Sequence, residues 1–163
     1  MHVFLTGEKG IGKSTLLKKA AESSGLRLAG FCTVSEARQE NRPVNIYMVP
    51  FGEDPVPEVT PVVGVKKVGG NPAVFDTWGV EIIKKAEATC PQLFIMDELG
   101  FMESDALKFQ NEILRILDSG IPVLGVIKPR ESAFLNSIRA RDDVKLIEIT
   151  IENRDFWDGK ILK

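Results

Sequence analysis

The stretch that decides the fold runs from residue 7 to residue 14 and reads Gly7-Glu8-Lys9-Gly10-Ile11-Gly12-Lys13-Ser14. It matches the pattern GxxxxGK[ST] without a gap. An apolar run, His2 to Thr6, precedes it, and apolar residues at helical spacing follow it as far as Gly25. A strand, a glycine-rich loop and a helix in this order are the context that the pattern requires. Residues 7–14 are therefore predicted to form a phosphate-binding loop, called the phosphate loop below.

Each fixed position of the phosphate loop has a chemical role. Glycines accept positive φ angles and close approach, so backbone N–H groups can turn towards phosphate oxygens. Lys13 is predicted to reach the β- and γ-phosphates, and the Ser14 hydroxyl is predicted to bind Mg²⁺. The following helix directs the positive end of its dipole at the anion. The predicted nucleotide-binding residues are Gly7, Glu8, Lys9, Gly10, Ile11, Gly12, Lys13, Ser14 and Thr15.

Length and composition are those of one globular domain spanning residues 1–163, with 44% apolar and 27% charged residues. The net charge of −2 disfavours a nucleic-acid partner, because nucleic-acid-binding domains are usually strongly basic. No apolar run reaches the roughly 18 residues of a membrane helix, and no signal peptide is evident, so a cytoplasmic location is expected. Cys32 and Cys90 form no metal-ligand pattern and are expected to be buried free thiols.

The segment from about residue 26 to residue 68 has β character. Val44, Ile46 and Met48 alternate with their neighbours at the period of a strand, and 28–34 and 62–68 are further strand candidates. Four prolines between residues 50 and 61 indicate a loop, because proline cannot donate to a strand ladder. We therefore expect a β-rich, hairpin-like insertion at about 26–68 that is attached to the main sheet.

Strands and helices alternate in the rest of the chain. Asn71, followed by proline, predicts a helix start, and Gly79 is expected to break this helix in two. Ser104 is expected to cap a helix that ends at Gly120. Further elements are predicted at 93–96 (strand), 121–127 (strand), 131–140 (helix) and 144–151 (strand). The fold class is α/β, with a mainly parallel sheet and helices on both faces.

Two carboxylates, Asp97 and Glu98, follow the apolar run 93–96. In P-loop proteins a carboxylate at such a strand end holds Mg²⁺, which is the role predicted for Asp97 together with Ser14. A neighbouring acid can orient or deprotonate the attacking water, and this general-base role is predicted for Glu98. Lys13 and Glu98 are therefore the candidate catalytic residues. The alternative is a pair of solvated acids at a strand end.

Three further stretches resemble a known family of P-loop nucleoside-triphosphatases, the cancer-related nucleoside-triphosphatases. Residues 97–103 read DELGFME and resemble the family stretch DE-hydrophobic-G-x-ME; 30–38 and 150–155 resemble G-F-x-T-x-E-x-R and T-x-E-N-R-D. Residues 30–38 carry one residue more than the family pattern between Thr33 and Glu36, and 39–43 lack its glycines. The resemblance implies a RecA-like core, a catalytic glutamate, and slow Mg²⁺-dependent hydrolysis of ATP, GTP, CTP and UTP.

Other polar and aromatic residues are weaker candidates. The cations that could neutralise charge on the transferred phosphoryl group are Arg38, Lys128, Arg130, Arg139 and Arg141, of which Lys128 and Arg130 are placed best. Asn153 and Arg154 follow the last strand, where they could contact a base or cap a helix. His2 is expected to be structural, and Trp78, Phe156 and Trp157 are expected to pack in the core.

Three functions remain open from the sequence. The first is a hydrolase in which Glu98 activates water. The second is a small nucleotide or metabolite kinase on the same scaffold, because phosphoryl transfer depends on positioning and charge stabilisation whatever the acceptor. The third is a nucleotide-dependent switch whose protein partner the sequence does not identify. The glutamate after Asp97 and the family resemblance favour hydrolysis.

Overall fold

The apolar run before the phosphate loop forms a fully buried strand next to the edge strand of one eight-stranded sheet. The computed structural model describes residues 1–163. The strands are β1 (His2–Thr6), β2 (Leu28–Ser35), β3 (Asn45–Pro50), β4 (Val62–Val65), β5 (Gly69–Gly70), β6 (Leu93–Leu99), β7 (Val123–Ile127) and β8 (Val144–Glu148). Their order in the sheet is β5-β4-β3-β2-β6-β7-β1-β8.

The sheet has a parallel part and an antiparallel part. Strands β2, β6, β7, β1 and β8 are parallel, whereas β3, β4 and β5 extend the sheet as an antiparallel meander beside β2. The predicted mainly parallel sheet is confirmed, and the β-rich insertion is attached to it as expected. Two boundaries differ: β2 belongs to the parallel part, and the meander continues to Gly70. We call β3–β5 the β-extension.

Helices cover both faces of the sheet, as predicted. They are α1 (Lys13–Ser23), α2 (Pro72–Val74), α3 (Val80–Ala88), α4 (Leu107–Asp118), α5 (Ala133–Arg139) and α6 (Arg154–Trp157). One core lies between α1 and the sheet and includes Leu5, Leu17 and Leu124. A larger core lies under α3, α4 and α5 on the other face and includes Phe94 and Phe109. Because successive strand residues point to opposite faces, the buried parallel strands read as continuous apolar runs.

Gly79 does not break the helix in which it lies, contrary to the sequence expectation. A π-helical turn, Phe75–Gly79, joins α2 to α3, and Gly79 has ordinary right-handed helical angles. A Cβ atom on Gly79 would lie 2.9 Å from the Phe109 ring and 3.2 Å from the Met48 sulfur. The glycine therefore serves close packing against α4 and β3 rather than chain termination.

Helix α4 starts at Leu107, and Ser104 is not its cap, so that prediction is wrong. The residue at the N-cap position, Ala106, has no side chain that could cap the helix. Instead the Asp76 carboxylate accepts a hydrogen bond of 2.9 Å from the Phe109 backbone N–H. Free N–H groups at a helix start need an acceptor, and here a neighbouring segment supplies it.

Several smaller expectations are also settled. His2 is buried and donates a hydrogen bond to the Leu117 carbonyl oxygen, as a structural residue would. Trp78 and Trp157 pack against the two cores as expected, but Phe156 is 57% exposed and lies beneath the Lys160 ammonium.

Cys90 is exposed and Cys32 half-buried, so the expectation of two buried thiols is wrong. None of the helices combines the length and the apolar character needed to span a membrane.

Candidate active site

The backbone of the phosphate loop adopts conformations that glycine favours. Gly7, Gly10 and Gly12 have φ angles of 135°, 80° and 99°. A Cβ atom on Gly7 would lie 2.4 Å from the Ile149 carbonyl oxygen, so the loop also packs tightly against the chain that follows β8. Gly12 occupies the N-cap position of α1, which places the helix start directly behind the loop. This is the arrangement in which backbone N–H groups and a helix dipole face an anion.

Lys13 is the charged residue at the centre of the loop. Its side chain is buried, and its ammonium donates to the Gly7 carbonyl oxygen at 2.7 Å and to the Glu8 carbonyl oxygen at 2.6 Å. Burial lowers the pKa of Lys13, opposed by the nearby charges of Glu98 and Asp97. An ammonium has three donors, so one remains for a phosphate oxygen.

Ser14 and Asp97 meet although 83 residues separate them in sequence. The Ser14 hydroxyl donates to Asp97 Oδ1 at 2.9 Å. Strand β7 lies between β1 and β6, so the carboxyl ends of the three parallel strands bring the loop and this carboxylate to one edge. Burial raises the pKa of Asp97 to about 6, and the Ser14 hydrogen bond opposes that shift. A hydroxyl and a carboxylate are oxygen donors of the kind that Mg²⁺ prefers, so the residues present fit this cation.

Glu98 lies at the point where the pairing of β6 with β7 shifts by one residue. Asp97 pairs with Val126, whereas Leu99 pairs with Ile127, so Glu98 is the extra residue of a bulge. Its backbone N–H donates to the Thr33 hydroxyl at 3.3 Å, and its Oε1 lies 2.9 Å from the Lys128 ammonium. A bulge redirects side chains in this way. Asp97 accepts a hydrogen bond from Ser14, whereas Glu98 forms an ion pair with Lys128. Both carboxylates lie beside the phosphate loop.

Glu103 is a buried carboxyl behind Glu98 to which the sequence assigned no role. It is 3% exposed, and its Oε1 accepts a hydrogen bond from the Gly100 N–H. Burial raises the pKa of Glu103 to about 7. Glu103, Glu98, Lys128 and Thr33 all line one cavity of about 70 Å³. The space exceeds that of one water molecule, so water has room beside Glu98. The only sequence signal was the position of Glu103 in the family-like stretch 97–103.

The other candidate cations are less closely placed. Arg130 stacks over the Phe101 ring at 4.8 Å, and Arg139 donates to the Lys128 carbonyl oxygen. Arg141 pairs with two carboxylates, those of Asp118 and Asp143, so its charge is used structurally. Arg38 is exposed in the loop between β2 and β3. Lys128 is therefore the candidate that the fold brings into contact with a predicted catalytic residue.

The side chain of Asn153 forms hydrogen bonds with the backbone of its own turn. Its Oδ1 accepts from the Thr150 N–H, and its Nδ2 donates to the Glu148 carbonyl oxygen, both at 2.8 Å. It makes no side-chain cap to α6. These two bonds close the chain after β8, where it packs on Gly7. The Asn153 side chain therefore holds this turn rather than capping α6, and its contact with a base stays a prediction.

Comparisons with known proteins agree with this geometry. A family model described as NTPase matches residues 2–162. The chain is 34% identical to a mouse cancer-related nucleoside-triphosphatase homolog, covering 94% of this chain and 90% of that one. It is 30% identical to nucleoside-triphosphatase THEP1 of a Thermotoga species, with 99% and 94% covered.

Two solved structures are similar over nearly the whole chain. The crystal structure of THEP1 from Aquifex aeolicus has a TM-score of 0.72 at 28% identity, covering 95% of this chain and 93% of that one. The solution structure of a human cancer-related nucleoside triphosphatase has a TM-score of 0.68 at 30% identity, with 99% and 95% covered. The chain belongs to the NTPase family of nucleoside-triphosphatase enzymes.

Proposed function

We propose that this protein hydrolyses nucleoside 5'-triphosphates to diphosphate and phosphate, with Mg²⁺, slowly, and with little preference among ATP, GTP, CTP and UTP. One observation carries the choice of water as acceptor. Glu98 stands at the end of β6 beside the phosphate loop, next to a cavity with room for water. A carboxylate in that position can accept a proton from a nucleophile in line with the γ-phosphorus.

The reaction assigns a task to each named residue. A water oxygen forms a bond to the γ-phosphorus, and the bond from that phosphorus to the β–γ bridging oxygen breaks. The nucleoside diphosphate leaves with the electrons of that bond. Glu98 receives the proton of the water, and its Oε2 is free for this because Oε1 faces Lys128. Lys13 contacts a β- or γ-phosphate oxygen with its remaining donor. Bound Mg²⁺, held by Ser14 and Asp97, would neutralise charge on the phosphates.

The side chains of the two candidate base-contacting residues after β8, Asn153 and Arg154, support broad base selectivity. The Asn153 Oδ1 accepts from the Thr150 N–H, its Nδ2 donates to the Glu148 carbonyl oxygen, and Arg154 is exposed. A site that discriminates strongly between bases needs buried polar groups that the wrong base leaves unpaired. We therefore expect rates within about tenfold across the four triphosphates, which corresponds to roughly 1.4 kcal/mol. Slow turnover rests on the family resemblance.

An acceptor assay tests the proposal. The purified protein is incubated with Mg²⁺ and each triphosphate, with and without added nucleoside monophosphates, and free phosphate and diphosphate products are separated. Phosphate release without any acceptor supports hydrolysis. Transfer of the phosphoryl group to an added monophosphate, with little free phosphate, would refute it in favour of a kinase. Full activity in excess chelator would refute the Mg²⁺ requirement.

A further inference from the structure

One peptide group, the one that joins Leu99 to Gly100, is held from both sides at the end of β6. Its carbonyl oxygen, that of Leu99, accepts a hydrogen bond of 2.9 Å from the Lys128 backbone N–H. Its N–H, that of Gly100, donates to Glu103 Oε1. The two bonds lie on opposite sides of a planar group, so together they fix its orientation. We call this group the clamped peptide.

The clamped peptide lies directly beside the Glu98–Lys128 ion pair. Glu98 precedes Leu99 in the chain, and its Oε1 lies 2.9 Å from the Lys128 ammonium. The Lys128 side chain lies against Gly100, where a Cβ atom would be 2.7 Å from Lys128 Cδ and 3.4 Å from Cε. Only glycine leaves room for the Lys128 side chain at this distance. Both the backbone and the side chain of Lys128 therefore contact the clamped peptide.

Glu103 is anchored in the fold and faces the same cavity as the ion pair. Its backbone carbonyl oxygen accepts a hydrogen bond of 2.9 Å from the Gln110 amide of α4. Its side chain is buried and lines the cavity that Glu98 and Lys128 also line. Burying a carboxyl is unfavourable unless it is hydrogen-bonded, and here the bond goes to the clamped peptide. An apolar side chain would avoid that penalty, so the carboxyl indicates a role in the adjacent site.

We propose that Glu103 is a positioning residue for hydrolysis, which keeps Lys128 beside Glu98 by holding the clamped peptide. The Lys128 ammonium on Oε1 of Glu98 restricts rotation of the carboxylate, so Oε2 is held in place for the proton of the attacking water. A general base acts only within hydrogen-bond reach of the proton that it accepts. This inference rests on the proposed function, because it concerns the base of the same reaction.

Two substitutions at position 103 test this role. Glu103→Leu removes the acceptor for the Gly100 N–H, whereas Glu103→Gln keeps a carbonyl oxygen there. Steady-state phosphate release from ATP gives kcat and KM, and calorimetry gives the affinity for an ATP analogue with a non-hydrolysable β–γ imido bridge. We expect Glu103→Leu to lower kcat by about ten- to hundredfold, because misplacing a catalytic group by about 1 Å can cost as much as 10²-fold. Affinity for the analogue should stay close to that of the parent, and Glu103→Gln should keep most of the parent kcat.

Asp76→Ala is the matched control for a loss of stability alone. The Asp76 carboxylate likewise accepts a hydrogen bond from a backbone N–H, but that N–H is Phe109 of α4. Asp76→Ala should unfold at a lower urea concentration and keep the parent kcat, which is also what a merely structural role would predict for Glu103→Leu. If Glu103 acts through Lys128, adding Glu103→Leu to Lys128→Met should lower kcat little further, because the two losses are coupled.

Each outcome either supports the inference or overturns it. A parent-like kcat in Glu103→Leu, a change confined to KM, an equal fall of kcat in Glu103→Gln, or additive losses with Lys128→Met would overturn it and leave hydrolysis intact. If Glu103→Leu does not fold, Gly100→Ala decides, because its Cβ displaces the Lys128 side chain at the contact through which Glu103 acts. A fall of kcat in Gly100→Ala supports the inference, and the parent rate overturns it. If the parent itself released no phosphate from any triphosphate, the proposed function would be overturned, and this inference with it.

Discussion

Replacing the buried carboxyl of Glu103 with an amide (Glu103→Gln) should change how protein stability depends on pH. Burial raises the pKa of Glu103 from an ordinary value of 4.5 to about 7. Each tenfold change in proton affinity corresponds to about 1.36 kcal/mol, so the linked free energy is on the order of 3 kcal/mol. The side chain is 3% exposed, so solvent screening reduces this figure little.

The sign follows from proton binding in the two states. Below pH 4.5 the carboxyl is protonated in both the folded and the unfolded chain, and burial carries no ionisation cost. Between about pH 4.5 and pH 7 the unfolded chain loses the proton while the folded chain keeps it. The free energy of unfolding of the parent therefore falls as pH rises through this window. The amide cannot ionise, and its carbonyl oxygen can still accept the hydrogen bond from Gly100.

Urea unfolding at pH 4, 6 and 8 measures the effect. The stability of Glu103→Gln relative to the parent should increase by about 3 kcal/mol between pH 4 and pH 8. Glu22→Gln is the matched control, because it makes the same substitution at an exposed site on α1. The other titrating groups contribute equally to the free energy of unfolding of each variant and of the parent, so their contributions cancel in each comparison. A relative stability of Glu103→Gln as constant with pH as that of the control would refute the reasoning.

Two further predictions concern the phosphate and metal contacts. Lys13→Ala should weaken binding of the non-hydrolysable triphosphate analogue more than binding of ADP, because Lys13 is expected to contact β- and γ-oxygens; equal losses in calorimetry would contradict that role. Asp97→Asn should raise the Mg²⁺ concentration that gives half-maximal hydrolysis, because it removes the only charged oxygen ligand that the chain is expected to supply. An unchanged Mg²⁺ titration would show that Asp97 does not serve the metal.

The parallel core of the fold was predictable because each of its signals is local. The apolar runs 2–6 and 93–96, the gap-free phosphate loop and the helical spacing after it all depend on neighbours in sequence. The failures came from contacts between distant segments. Asp76 caps α4 in place of Ser104, and the Phe109 ring explains why Gly79 is a glycine. Neither contact leaves a pattern within a short window of sequence.

The site was predictable in part for the same reason. Residue type and strand-end position placed Ser14, Asp97 and Glu98 together, and their roles in binding and catalysis stay predictions. The Glu98–Lys128 pair depends on a bulge that shifts the pairing of β6 with β7, which periodicity cannot reveal. The docking of the β-extension onto residue 102 depends on the glycines at positions 64 and 70. Tertiary packing, rather than local preference, decides such features.

Single-turnover hydrolysis by Glu98→Gln tests most directly whether this carboxylate activates water. The substitution preserves size and one acceptor oxygen but removes the charge and most of the basicity. Affinity for the triphosphate analogue should stay close to that of the parent, while the hydrolysis rate should fall by about 10²–10⁴-fold, the usual contribution of a positioned general base. Glu22→Gln should hydrolyse at the parent rate. If Glu98→Gln binds nucleotide normally and also hydrolyses it at the parent rate, Glu98 is not the base, and a kinase or a nucleotide-dependent switch becomes the better description of this site.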